Sequence, residues 1–256
     1  MRFTDKIVVV TGGSQGIGRA TAERMLDEGG SVAVLDADPA RAQSWVSGRS
    51  DASRCAVFPC DLLDAASVDA AVAGVLERFG RIDALAQVAG GDTASADGLA
   101  EEHWLSTVDL NLHGPMRVIR ACRAALVQSR GAIVLVGSVN GVAAYGEPAY
   151  AAAKAGLSLL ARNLAVELGP RGVRINVVAP GTVLTRVWTE RPGGADPVVK
   201  MYPLGRVGLP SDIAAAIAFL ASDDAAWITG VTLPVDGGSL AGPLQLLGGP
   251  IWGEDG

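Results

Sequence analysis

Histidine and cysteine are scarce in this chain of 256 residues, which has two of the first and three of the second. Cys55, Cys60 and Cys122 are odd in number, lack the paired spacing of metal ligands and have too few histidines to complete a set. No metal centre is expected, and reduced thiols in a cytoplasmic protein are. Charged residues are only 19% of the chain, and basic ones are the minority, with 21 Lys and Arg against 27 Asp and Glu, a net charge of −6. That balance argues against a nucleic-acid backbone or an anionic membrane as partner. The longest apolar stretch, residues 213–221, is far short of the roughly 20 residues that span a membrane. The opening MRFTDKIVVVTGG enters a strand pattern at once, so no secretory leader is expected. What is abundant is apolar: 49% of residues, enough for a folded core and too many for a disordered chain.

Short β-branched runs alternate with helix-length amphipathic segments. Residues 6–11, 31–35, 55–59, 84–88, 132–137, 173–178 and 231–234 read as strands, several of them apolar on successive residues as buried parallel strands are. Helices are predicted over 16–29, 38–47, 64–79, 101–129, 148–169 and 211–221. This alternation predicts a doubly wound α/β fold, a seven-stranded parallel sheet with helices on both faces. No linker, repeat or composition shift divides residues 1–256, so a single domain is expected. Residues 182–204 hold Pro192, Gly193, Gly194 and Pro197 and are too irregular for a long helix, which suggests a substrate lid. The Gly- and Pro-rich tail 239–256 carries Leu244, Leu246, Leu247, Ile251 and Trp252. It is either disordered or docked on a neighbouring subunit.

After the first strand comes Thr11-Gly12-Gly13-Ser14-Gln15-Gly16-Ile17-Gly18, then an amphipathic helix. Glycines there let the backbone turn tightly and approach a pyrophosphate, whose charge suits the N–H groups and dipole of a helix start. Such a run alone is also an ordinary tight turn, and its spacing is G-x-x-x-G-x-G rather than the common G-x-G-x-x-G. Its place between strand one and helix one favours nucleotide binding and a Rossmann-type fold. Asp36 ends the second strand, eighteen residues beyond Gly18. A carboxylate there can accept from both adenosine ribose hydroxyls and repels a 2′-phosphate, so NAD is expected over NADP, unless Asp36 is a solvated loop residue. Arg41 is expected to lie along the next helix. Asp61, ending strand three, is a candidate contact for the adenine amino group.

Of three tyrosines, only Tyr150 has a lysine four residues on, Lys154, in an alanine-rich helical segment. That spacing puts both side chains on one helix face, one turn apart. A free phenol titrates near about 10, and acid–base work near neutrality needs its phenolate stabilised by about 3–4 kcal/mol. A nearby ammonium acts in that direction. Ser138 follows the fifth strand, at the strand end where doubly wound sheets place ligands, and could polarise the same substrate oxygen or simply cap a turn.

These motifs resemble the short-chain dehydrogenase/reductase family, and the likeness runs from residue 3 to about 239. It includes TGGSQGIG, YAAAK, Asn111 in the fourth helix, Asn176 with Pro180 and Gly181, Pro203-Leu204-Gly205-Arg206 and Val235-Asp236-Gly237-Gly238. The resemblance implies that Ser138, Tyr150 and Lys154 form the catalytic triad, that Lys154 also holds the nicotinamide ribose, and that Asn111 anchors a relay water. It implies a cofactor lined by Gly12, Ser14, Gln15, Gly16, Ile17, Gly18, Asp36, Asp61, Leu62, Ala89, Gly90, Tyr150, Lys154, Pro180, Gly181, Val183 and Thr185. Two features depart from the family pattern. Gln87-Val88-Ala89-Gly90 stands where paired asparagines are usual, which loosens the expected brace between sheet and helix. Pro115 cannot donate to the carbonyl of Asn111, so it either frees that carbonyl for the relay water or merely kinks the helix.

The resulting expectation is an NAD-dependent oxidoreductase that interconverts a secondary alcohol or diol and its carbonyl. The rivals are an NADPH-type 3-oxoacyl or ketone reductase and a non-catalytic dinucleotide sensor; epimerase or dehydratase chemistry would need a longer substrate domain. The substrate pocket is expected from residues 91–98, 139–147 and 182–203, with Ser138, Val139, Asn140, Val142, Tyr145, Tyr150, Trp188 and Met201 as candidate walls. The helix near 150–167 is apolar on nearly every side, which with the family likeness implies a homotetramer.

Overall fold

The computed structural model describes residues 1–91, 97–190 and 193–242. Seven strands, β1 (Ile7–Thr11), β2 (Ser31–Asp36), β3 (Cys55–Pro59), β4 (Ala84–Gln87), β5 (Ala132–Val136), β6 (Arg174–Pro180) and β7 (Thr232–Val235), form one sheet in the order β3-β2-β1-β4-β5-β6-β7. Every pairing is parallel. The strand order reverses between β1 and β4, where such sheets open a crevice at their carboxyl ends. This is the Rossmann-type, doubly wound architecture expected from the alternation.

Helices cover both faces. On one, α1 (Gly16–Asp27), α2 (Pro39–Val46) and α8 (Pro210–Ala221) pack through Met25, Leu26, Val46 and Ile217 onto Val8, Val10 and Val34. On the other, α3 (Ala65–Phe79), α5 (Gly114–Ser129) and α6 (Pro148–Leu168) pack through Val72, Ile119 and Leu157 onto Val9, Leu85 and Ile133. The alternation of Val8 and Val10 with Val9 across β1 puts apolar side chains on both faces, so only a two-layered cover buries them. Local signals set the helix ends. Asp64 caps α3 by accepting from Ala66 N–H, and Gly80 closes it in the left-handed region at φ 76°.

One predicted helix holds in extent but not in regularity. The segment 101–129 is helical throughout, as α4 (Glu101–Val108) and α5 joined by a π turn over Asp109–His113. Gly114 N–H donates to the Asp109 carbonyl, five residues back. Pro115 brings no N–H to the following position, so the ladder widens just where the α pattern of bonds cannot be kept. The turn carries Asn111 into the crevice. The irregular segment after β6 contains only α7 (Arg186–Thr189), a 3₁₀ turn over Asp196–Met201 and loops among its described residues.

Candidate active site

The glycine-rich turn joins β1 to α1 at the crevice. A Cβ on Gly18 would overlap the Gly12 carbonyl, so only glycine lets the helix start so close to the turn. Gln15 leads into α1 without a side-chain cap, and the first turn has no acidic residue, so its amide donors suit an anion. Across the crevice, the Thr185 side chain lies against Gly16: a Cβ there would come within 3.3 Å of Thr185 Cγ2. The loops after β1 and β6 therefore meet, as the walls of a pyrophosphate cradle must. The residues present fit a dinucleotide.

Asp36 is half-buried and held by two backbone donors, Ser14 N–H to Oδ2 and Asp38 N–H to Oδ1, both at 2.9 Å. Arg41 lies in α2, along the next helix as expected. Its Nη1 reaches back across the crevice rim to Gln15 Oε1 at 2.7 Å, while its Nε lies 3.3 Å from Asp38. A cation thus stands on the glycine turn beside the very residue whose amide Asp36 holds. Trp45 Nε1 donates to the Gly13 carbonyl at 3.1 Å and fastens the turn from beneath. Asp61 is exposed and accepts from Leu63 N–H through Oδ1, and Leu62 is buried beside it.

The β4 end is braced by a residue the motif argument passed over. Thr11 Oγ1 accepts from both Val88 N–H and Ala89 N–H at 3.0 Å. Gln87 folds back on its own strand end, Nε2 donating to the Ala89 carbonyl at 3.3 Å, and its Oε1 has no hydrogen-bond partner. A hydroxyl on the neighbouring strand thus ties the end of β4 to β1.

The catalytic candidates converge at the ends of β4 and β5. Lys154 is buried; its Nζ donates to the Val136 carbonyl at 3.0 Å and lies 5.4 Å from the centre of the Tyr150 ring. Burial pushes its ammonium down to about 8. A Cβ on Gly90 would sit 2.8 Å from Asn111 Oδ1 and 3.2 Å from Lys154 Nζ, so glycine is what admits both groups to one spot. Asn111 is fully buried: Nδ2 donates to the Gly91 carbonyl at 2.7 Å and to Thr107 at 2.9 Å, and Oδ1 accepts from Gly91 N–H at 3.0 Å. Ser138 does cap a turn, its Oγ accepting from Asn140 N–H and donating to Asn140 Oδ1, each at 3.2 Å. That turn rests on the backbone of Lys154 and Ala155, where Gly141 leaves no room for a Cβ.

On the β6 side, Pro180 ends the strand and Gly181, Val183 and Thr185 follow it. Tyr202, which sequence reasoning set aside, holds this loop: it is buried, and its hydroxyl accepts from Thr182 N–H at 2.7 Å. Trp188 and Met201 pack with Ala195, Tyr202 and Val207 in a small cluster. Tyr145 donates to the Ser239 carbonyl at 3.3 Å, so it joins the pocket loop to the start of the tail. Val139 is buried and Val142 exposed. Residues 92–96 of the expected pocket, Arg191 and Pro192 of the lid, and the tail from 243 lie outside the described residues.

Known proteins with this arrangement are many. The family model described as enoyl-(acyl carrier protein) reductase matches residues 12–239. The chain belongs to the short-chain dehydrogenase/reductase family. It is 39% identical over 247 residues to the D-threitol dehydrogenase of Mycolicibacterium smegmatis, covering 93% of this chain and 94% of that one. It is 38% identical to the 3-oxoacyl-[acyl-carrier-protein] reductase FabG of Escherichia coli, covering 93% and 98%. The crystal structure of a short-chain dehydrogenase/reductase family oxidoreductase from Burkholderia thailandensis superposes with a TM-score of 0.85 at 42% identity, covering 93% of each chain. As a short-chain dehydrogenase/reductase, the chain is an oxidoreductase acting on CH–OH or carbonyl groups of small molecules with a nicotinamide dinucleotide. Among its described residues no helix is long and apolar enough to cross a membrane.

Proposed function

We propose that the protein is an NAD-dependent dehydrogenase of secondary alcohols or diols, working through Ser138, Tyr150 and Lys154 with Asn111 behind them. The observation that carries this reading is the buried Lys154 ammonium one helix turn from Tyr150, wedged between the ends of β4 and β5. A nicotinamide dinucleotide lying along Gly12–Gly18, Asp36, Gly90 and Thr185 would supply the hydride acceptor when bound. Tyr150 as phenolate takes the hydroxyl proton of the alcohol, and Ser138 holds the same oxygen. Lys154, still largely charged at neutral pH, favours the phenolate. In carbonyl reduction Tyr150 returns the proton. Most of the rate then comes from positioning and from the phenol's altered acidity.

The Asp36 carboxylate at the end of β2 supports NAD. A second reading, an NADPH-linked 3-oxoacyl or ketone reductase, is favoured by Arg41, whose guanidinium stands on the turn where a 2′-phosphate would need a cation. We also read the chain as one domain in a cytoplasmic homotetramer, with residues 182–204 as the lid. Leu159 and Val166 are exposed along α6, as a helix facing another subunit would be.

The test is NADH formation from NAD⁺ over secondary alcohols, sugars, hydroxysteroids and cis-diols, with Tyr150→Phe alongside. Turnover that falls by at least a thousandfold in the variant while NADH still binds is the expected result. A variant that keeps a tenth of the activity removes Tyr150 from the reaction.

A further inference from the structure

Arg117 lies outside every motif named above, yet it joins two walls of the crevice. It sits half-buried on the first turns of α5. Its Nη1 donates to the Leu62 carbonyl at 3.0 Å, and its Nη2 to Asp109 Oδ1 at 2.8 Å. Leu62 follows Asp61 in the segment after β3, on the adenine side of the crevice. Asp109 opens the π turn, and its backbone carbonyl accepts the Gly114 N–H that defines that turn.

We infer that Arg117 is a positioning residue that clasps the π turn and ties the Asn111 site to the cofactor's adenine side. This rests on the proposed dinucleotide site, and the geometry makes three demands that arginine meets. Helical side chains lean toward the N-terminus, so a long one at 117 can reach back over the π turn. The two acceptors, a carboxylate and a carbonyl, need two donors spread in one plane, which a guanidinium has and an ammonium lacks. The gap between turn and segment is tight, since a Cβ on Gly114 would come within 3.0 Å of Leu62 Cβ. His113 Nδ1 shares Asp109 Oδ1 at 3.1 Å, so the carboxylate is held from two sides of the turn.

The clasp matters because of what the π turn presents. Asn111 bonds both backbone atoms of Gly91, and Gly90 next to it borders Lys154 Nζ. A shift of the turn by a few tenths of an ångström is therefore transmitted to the lysine, while the same shift moves Leu62 against the adenine side. One side chain thus couples cofactor grip to the proton-handling groups.

Amide hydrogen exchange on the cofactor-free protein, with NADH titration by fluorescence, tests this in Arg117→Met, Arg117→Lys and Asp109→Asn. In Arg117→Met we expect exchange at Gly91 and Gly114 to rise about tenfold, with the amides of α8 unchanged, and the NADH dissociation constant to rise about fivefold. Arg117→Lys should recover the Gly114 protection through Asp109 but less of the NADH affinity, because one ammonium cannot hold Leu62 as well. Asp109→Asn combined with Arg117→Met should be no worse than Arg117→Met alone. In turnover, kcat should fall about tenfold while the KM of the alcohol stays within twofold. Unchanged exchange at Gly91, or a rise spread evenly over α8 as well, overturns the clasp. Intact local exchange effects with unchanged NADH affinity overturn its link to the cofactor. A wild-type protein that binds neither NADH nor NADPH refutes the dinucleotide reading itself, and the link to the cofactor with it, while the exchange data still decide the clasp.

Discussion

In the proposed mechanism Lys154 stabilises a transition state, while its burial costs the fold, and the two effects separate with pH. Its ammonium is buried, so its acidity is displaced from the ordinary 10.5 down to about 8. The unfolded chain then binds more protons than the folded one between those values, and stability rises with pH across that window. Below pH 8 the cost is fully present, about 3 kcal/mol at about 1.4 kcal/mol per tenfold change in acidity. By pH 9.5 about 2 kcal/mol of it is relieved, because the neutral amine keeps its hydrogen bond to the Val136 carbonyl without the charge. Lys154→Met carries no such titration. Thermal unfolding of the cofactor-free wild type and variant, at pH 7, 8.5 and 9.5, should show the wild type gaining on the variant by about 2 kcal/mol from end to end. At this chain length that is about 4–8 °C in the difference between the two midpoints. The variant should be inactive throughout. Parallel pH curves for the two proteins, or a wild type that loses ground as pH rises, would refute the assignment of a buried, charged Lys154.

Two further outcomes follow from the cofactor side. Asp36→Asn should weaken NADH binding about tenfold and strengthen NADPH binding, and adding Arg41→Gln should cancel the NADPH gain; an NADPH affinity indifferent to Arg41 removes that cation from the site. Thr11→Val should lower stability by about 1–3 kcal/mol in urea titrations, because Val88 and Ala89 lose their shared acceptor, while Thr11→Ser should stay near wild type. Equal stability of the Val and Ser variants would assign the brace elsewhere.

What the residues alone disclose depends on the range of the contact. The strands are readable to within a residue or two at their ends, because β1, β2 and β5 are buried on both faces and carry apolar residues in succession through their middles. The Tyr150–Lys154 pair was readable because it lies within one helical turn. The π turn within the predicted helix over 101–129 was not, because the helical segment carries on from α4 through it into α5. Pro115 was the local sign, but a missing donor alone does not say whether a helix kinks or widens. Arg41 to Gln15, Thr11 to Val88 and Tyr202 to Thr182 join residues far apart in the chain, and no periodicity encodes them.

Those long-range bonds have a shared logic. Each ends on the backbone or a side chain of a loop at the carboxyl end of a strand, where a ligand must be met by exposed amides and the loop has no sheet bonds of its own. Thr11 secures the β4 loop, Tyr202 the β6 loop, Trp45 and Arg41 the β1 loop, and Arg117 the β3 segment. The candidate catalytic groups are placed with the help of these braces: Lys154 and Asn111 meet at Gly90, a point held through Thr11 on one side and Gly91 on the other. Polar side chains buried at such positions cost stability unless every partner is present. Among the described residues Gln87 Oε1 and Thr232 Oγ1 are the exceptions, and the first falls on a residue where this chain departs from its family's pattern. Beside it, Thr11 on the neighbouring strand still holds the Val88 and Ala89 amides at the end of β4.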